Sequence, residues 1–182
     1  PKNEVLAIVR HEAGHVMLWH TFTRLSCITL PVLAIAQAQN QLVELPAPMF
    51  EGEPLDWAAR TITFLPTGVY LAFLLTSLPW ISHQMEQEAD VFACQDQSSN
   101  GSELDSNYTK DLKNALLRFA AHGTGYYEKR TLFHPSLKQR IELIEELESN
   151  PEKIKQFKRS FSRRRILVLV CFTAIWVSIT LL

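Results

Sequence analysis

The chain has 182 residues, a formal net charge of −1 and 47% hydrophobic residues, enough for one domain with a real core. The near-neutral balance, with no basic stripe before the last helix-forming stretch, gives no reason to expect nucleic acid as a partner. Cys27, Cys94 and Cys171 are widely spaced and form no CxxC pair, which excludes a zinc knuckle and leaves each as a small buried hydrophobe.

Residues 2–24 are expected to form one helix, because Leu6, Val9, Ala13, Val16, Met17 and Phe22 recur at three-to-four spacing with no proline between them. The apolar run 25–38 is marginal in length for a membrane span, and Pro31 is expected to kink it. The acidic, proline-rich stretch 39–56 predicts a loop. Residues 61–81 carry no charge and include Tyr70 and Trp80 as interfacial rings, which predicts a membrane helix running on through "SHQMEQEADVFACQ". A loop at 96–107 leads to an amphipathic helix over 108–122, with Leu112, Leu116 and Phe119 on one face. Residues 123–133 predict a flexible connection. A further helix then opens with Pro135 in its first turn.

The tail changes character. The segment 151–165 is a basic linker, and the uncharged residues 166–182 follow it. At 1.5 Å per residue the tail reaches about 25 Å, short of the roughly 30 Å hydrocarbon core, so it reads as a transmembrane helix cut short. With Pro1 in place of a methionine, this leads us to expect a piece of a longer protein. Basic residues favour the cytoplasmic side, so Arg10, Arg24 and the basic block are expected there, with the acidic loop opposite. The expected organisation is a domain over residues 1–150 carrying a membrane hairpin at about 25–38 and 61–81, then the linker and the terminal span.

Within "AIVRHEAGHVMLWH", His11 and His15 stand four apart, so both imidazoles leave one helix face and can hold one ion. Glu12 sits beside them, where a carboxylate can activate a metal-bound water, completing H-E-x-x-H. His20 fails as the third ligand: it lies five residues past His15, well round a continuous helix from it, and reads as a satisfied or exposed histidine. A second helix supplies the missing ligand. Glu86 and Asp90 share a face, Glu86 to bind the ion and Asp90 to hold a ligating imidazole by its other nitrogen. Ala89 and Ala93 leave room for close helix packing. Glu88 competes as a ligand, but it points roughly 200° from Glu86 and is expected to be solvated.

"EVLAIVRHEAGHVMLWH", an apolar hairpin, "EQEADVFA" and "FHPSLKQRIELI", in that order, resemble the membrane gluzincin metallopeptidases, which include the HtpX-type protease and the type 1 CAAX prenyl endopeptidase. The resemblance implies an all-α, membrane-associated, zincin-like metallopeptidase domain with transmembrane helices. It implies one Zn²⁺ on His11, His15 and Glu86, with Glu12 as catalytic base and Asp90 behind the ligands. His134, before Pro135, matches a family histidine thought to steady the oxyanion, and Arg140 matches the arginine that follows it. Gln87 departs from the family's usual aromatic at that position, and the C-terminal apolar segment departs from the HtpX type.

The implied activity is a metalloendopeptidase at the cytosolic face of the cell membrane, acting on a protein or peptide with a zinc-bound water and Glu12 as general base. The bilayer is the other expected partner. Three other readings remain open from sequence: an antirepressor-type sensor-transducer protease, a non-catalytic membrane scaffold of the same fold, and an intramembrane site-2-type protease. The last is disfavoured by the charged Lys2, Glu4, Arg10 and Arg24 around the first helix.

Overall fold

A computed structural model describes residues 1–43, 53–96, 103–122 and 127–180. Among the described residues six helices follow in order: α1 (Lys2–Met17), α2 (His20–Val43), α3 (Glu53–Cys94), α4 (Ser106–His122), α5 (Leu137–Ser149) and α6 (Pro151–Thr180). Among the described residues the nearest approach to a strand is a single bridging pair, Gln95 with Leu104, so the all-α expectation agrees with the chain.

Two compact units divide these helices. The first comprises Pro1–Thr23 with Pro79–Arg165, and the second Arg24–Leu78 with Ile166–Leu182. In the first, Ala7 of α1, Ala93 and Cys94 of α3, Leu112 and Leu116 of α4, and Ile141 and Ile144 of α5 close one apolar cluster, edged by Leu104 and Leu137. A second cluster of Val91, Leu147 and Ile154 draws the start of α6 onto α3 and α5. Capping directs the shorter helices. Asp105 Oδ1 accepts from the Asn107 and Tyr108 amides at the start of α4. Ser136 and Gln139 form a reciprocal capping box at the start of α5. Pro135 therefore stands just before the cap of α5 and outside its first turn.

The close approach of α1 and α3 has a local cause. A Cβ on Gly14 would meet Phe92 Cδ1 at 3.1 Å and Ala89 Cα at 3.2 Å, so the glycine is what allows the backbones together. Arg118 of α4 binds Glu4 of α1 at 2.6 Å, and Thr109 of α4 donates to Glu148 of α5 at 2.8 Å.

Several expectations are corrected. The first helix stops at Met17, and α2 starts anew at His20. Trp19 between them holds φ 60°, a left-handed conformation costly for a residue with a Cβ. Helix extends into the stretch read as a loop: α2 runs to Val43 and α3 starts at Glu53, while residues 44–52 lie outside the described residues. Leu112 and Leu116 are buried as expected, but Phe119 is 57% exposed. The basic segment 151–165 is helical and continuous with the apolar tail in α6. Cys27 and Cys94 are buried free thiols, as their composition implied.

The second unit exposes large apolar side chains, among them Leu33, Phe64, Leu65, Val69, Leu75 and Leu167. Among the described residues no single helix is long and apolar enough to cross a membrane; Lys2–Met17 with His20–Gln37 passes that test only as a broken pair.

Candidate metal centre

The i, i+4 spacing on α1 turns His11 and His15 toward α3, with their Nε2 atoms 3.2 Å apart. Glu86 of α3 lies opposite and is buried. Its Oε2 is 3.5 Å from His11 Nε2 and its Oε1 is 3.4 Å from His15 Nε2. The three residues each present a ligand atom within 4.8 Å of the others. Tetrahedral zinc, with bonds of about 2.0–2.2 Å to nitrogen and oxygen, spaces its ligands about 3.3–3.6 Å apart. The observed separations lie close to that spacing, the two Glu86 contacts being made by different oxygens, and two imidazoles with a carboxylate are donors zinc accepts.

Behind His11 stands Asp90, fully buried, whose Oδ1 is 2.9 Å from His11 Nδ1. That contact leaves Nε2 facing the cluster. Arg140 of α5 closes on the same carboxylate, Nε to Oδ2 at 2.7 Å and Nη2 to Oδ1 at 2.6 Å, and its Nη1 lies 3.9 Å from Glu86 Oε2. The structure thus brings together His11, His15, Glu86, Asp90 and Arg140. His134 Nδ1 lies 3.0 Å from Glu86 Oε2, its side chain 57% exposed at the rim. Glu12 is exposed on α1, and its charge is among those that Arg140 feels.

His20 is a satisfied histidine outside the cluster, as expected, but it does not turn away from His15, and the expectation that Glu88 is solvated fails. His20 is buried at 1% exposure, its Nδ1 2.9 Å from His15 Nδ1 and its Nε2 3.0 Å from Glu88 Oε2. Glu88 is therefore engaged by a histidine instead of solvated. The break at Leu18 and Trp19 is the reason: it resets the helical phase, so spacing counted along one helix misplaces His20.

Sequence reasoning also passed over His83. Its Nε2 donates to the Thr131 carbonyl at 2.9 Å, and its Nδ1 accepts from Arg130 Nη2 at 2.8 Å. Thr131 in turn binds the turn that carries His134: the His134 amide donates to Thr131 Oγ1 at 3.0 Å and the Thr131 amide to the His134 carbonyl at 3.0 Å. A histidine whose partners are a backbone carbonyl and an arginine from a loop leaves no spacing signal.

The charges agree with an ion-binding cluster. Burial lowers the proton affinity of His11, but its hydrogen bonds to the Asp90 and Glu86 carboxylates outweigh it and push its pKa up to about 9. Burial works against the charge of Glu86, and hydrogen bonds from His11, His15 and His134 overcome it, holding the carboxyl well below the usual range. Asp90 is likewise held down, burial being outweighed by Arg140 and His11.

The model of peptidase family M48 matches residues 1–148, a span that includes every residue of the cluster. Neither a curated protein nor a solved structure matches the chain. On that match the chain belongs to peptidase family M48, a family of zinc metallopeptidases.

Proposed function

We propose that this metallopeptidase is a membrane-bound endopeptidase whose site faces the cytosol, with Glu12 as general base and His134 as oxyanion donor. The observation that carries the reading is the convergence of His11, His15 and Glu86 at separations suited to one ion. Membrane attachment is supported by the exposed apolar side chains of the second unit and the basic block before the apolar end of α6. The order of the sequence motifs favours the HtpX-type or CAAX-type branch.

His11, His15 and Glu86 would hold the zinc, which supplies Lewis acidity to polarise a carbonyl and acidify a water. Glu12, exposed beside His11, takes a proton from the attacking water and delivers it to the departing amine. His134 reaches the rim of the site from its turn and donates an N–H to the developing oxyanion. Asp90 keeps the His11 proton on Nδ1, and Arg140 keeps Asp90 ionised.

The test is cleavage of an unfolded protein by purified wild type and Glu12→Gln, each with its zinc content measured, with and without chelator. Glu12→Gln should retain zinc and lose about 10²–10⁴-fold in kcat. Full activity in zinc-loaded Glu12→Gln would sink the base assignment. Extraction of the chain from membranes by alkaline carbonate would sink the membrane assignment.

A further inference from the structure

His20 and Glu88 belong to no motif, yet they form a buried polar chain that ends on a ligand. Glu88 Oε2 lies 3.0 Å from His20 Nε2, and His20 Nδ1 lies 2.9 Å from His15 Nδ1. His20 is 1% exposed and the Glu88 side chain 12%. The rings of His15 and His20 stand edge to face, 5.0 Å between centroids.

The donor and acceptor roles follow from chemistry. A carboxylate only accepts, so the His20 Nε2 must carry a proton. With His20 neutral, its Nδ1 holds a lone pair and the proton between the two Nδ1 atoms comes from His15. His15 thereby carries a proton on Nδ1, and Nε2, the atom facing His11 and Glu86, is the nitrogen left to a metal. The arrangement does for His15, through one intervening ring, what Asp90 does for His11 directly. The turn at Leu18 and Trp19 makes it possible. The Leu18 amide still bonds Gly14 O at 3.0 Å, and Trp19 at φ 60° sends His20 back toward the ring five residues before it.

We propose that His20 and Glu88 are a positioning pair that fixes His15 in the tautomer and orientation whose Nε2 is open to the metal. The proposal rests on the reading of His15 as a ligand. It predicts that the pair acts on metal affinity without touching the ion or the substrate. Partners behind a ligating histidine are ordinarily worth about 10–100-fold in affinity.

The experiment uses the full chain with ¹⁵N-labelled histidine. Long-range ¹H–¹⁵N correlation on the metal-free protein reads the tautomer of His15, whose signals are assigned by their loss in His15→Gln. Zinc affinity is read in parallel by competition with a chelating dye. Wild type should show the His15 proton on Nδ1. Glu88→Ala should give a mixed or reversed His15 tautomer and bind zinc about 10–100-fold more weakly. His20→Gln, whose amide oxygen can still accept from His15, should fall between the two. A His15 proton on Nε2 in wild type overturns the proposal. So does a Glu88→Ala protein with unchanged tautomer and affinity. Weaker zinc binding with the tautomer unchanged also overturns it, since that marks a packing effect only. Failure of wild type to bind zinc would instead overturn the metal-site reading, and the tautomer measurement would still decide the relay.

Discussion

Arg140 grips Asp90 with two hydrogen bonds, Nε to Oδ2 at 2.7 Å and Nη2 to Oδ1 at 2.6 Å, at a point where Asp90 is wholly shielded from water. Asp90 also meets His11 Nδ1 at 2.9 Å, so α5 is tied to α1 through a carboxylate on α3. Three helices share one charged link. Breaking such a link from one side leaves a buried charge without its partner, which costs far more than the link contributes net.

Arg140→Ala is therefore expected to lower the unfolding free energy by about 3–5 kcal/mol. Urea unfolding of the metal-free protein measures this. Arg140→Lys keeps the charge but not the fork that fits both Asp90 oxygens, so it should recover part of the loss. A loss under about 1 kcal/mol in Arg140→Ala would show that the pair is not the link the geometry indicates.

The pH dependence of the metal-free protein follows from His11. Its folded-state value, about 9, lies above the ordinary 6.5, so the stabilisation it gives is complete below pH 6.5 and fades as pH rises through about 9. The urea midpoint should fall between those limits, with His11→Gln flattening the slope. Zinc must displace the same proton from Nε2, so binding at pH 7 should release about one proton from this site. Calorimetric titrations in two buffers of different ionisation enthalpy count it. A binding heat independent of buffer would contradict the assignment.

Gly14 gives a prediction about packing. An added Cβ would lie 3.2 Å from the backbone Ala89 Cα, which cannot rotate away as Phe92 can. Gly14→Ala gains about 1 kcal/mol in helix propensity and loses a comparable amount in crowding, so its stability should stay within about 1 kcal/mol of wild type. Gly14→Val adds branching at the same contact and should lose about 1–3 kcal/mol. It should also weaken zinc binding, since Glu86 rides on the helix that is pushed away. Thermal melts and the dye competition read both effects.

The cluster of His11, His15 and Glu86 was legible because its chemistry is written in helical spacing. His11 with His15, and Glu86 with Asp90, each stand one turn apart, and a one-turn pair shares a face wherever the helix lies. His20 and Glu88 were not legible, because their meeting depends on a helix break. The Leu18–Trp19 turn contains no glycine, asparagine or proline, so nothing marks it, and on an unbroken helix His20 would sit roughly 140° round from His15. Glu88 points away from Glu86, which leaves it out of the cluster, and only the helix break brings it His20 as a partner. Phe119 failed differently: periodicity gives the apolar face of α4, but not how far along that face the neighbouring helices cover it. The capping box on Ser136 and Gln139 set the start of α5 one step beyond Pro135, a distinction proline preference alone does not make.

His83 supplies the last prediction. Its Nε2 donates to Thr131 O at 2.9 Å while its Nδ1 accepts from Arg130, so one neutral tautomer serves both contacts and fastens the loop to α3. Beyond Thr131, the turn is closed by the three bonds that Thr131 and His134 exchange. His83→Ala removes the fastening but no atom of the cluster. The amide of His134, bonded to Thr131 Oγ1, should then exchange with solvent at least about tenfold faster, an opening cost reduced by about 1.4 kcal/mol or more. The amides at the centre of α3 should keep their protection, which separates a loosened loop from a loosened domain. His83→Gln can both donate and accept and should restore part of the protection. If His134 serves the reaction as proposed, His83→Ala should lower kcat with zinc affinity unchanged, because the cluster on α1 and α3 is untouched. Equal slowing of kcat and loss of zinc would instead mean that His83 supports the ligand helices and not the turn.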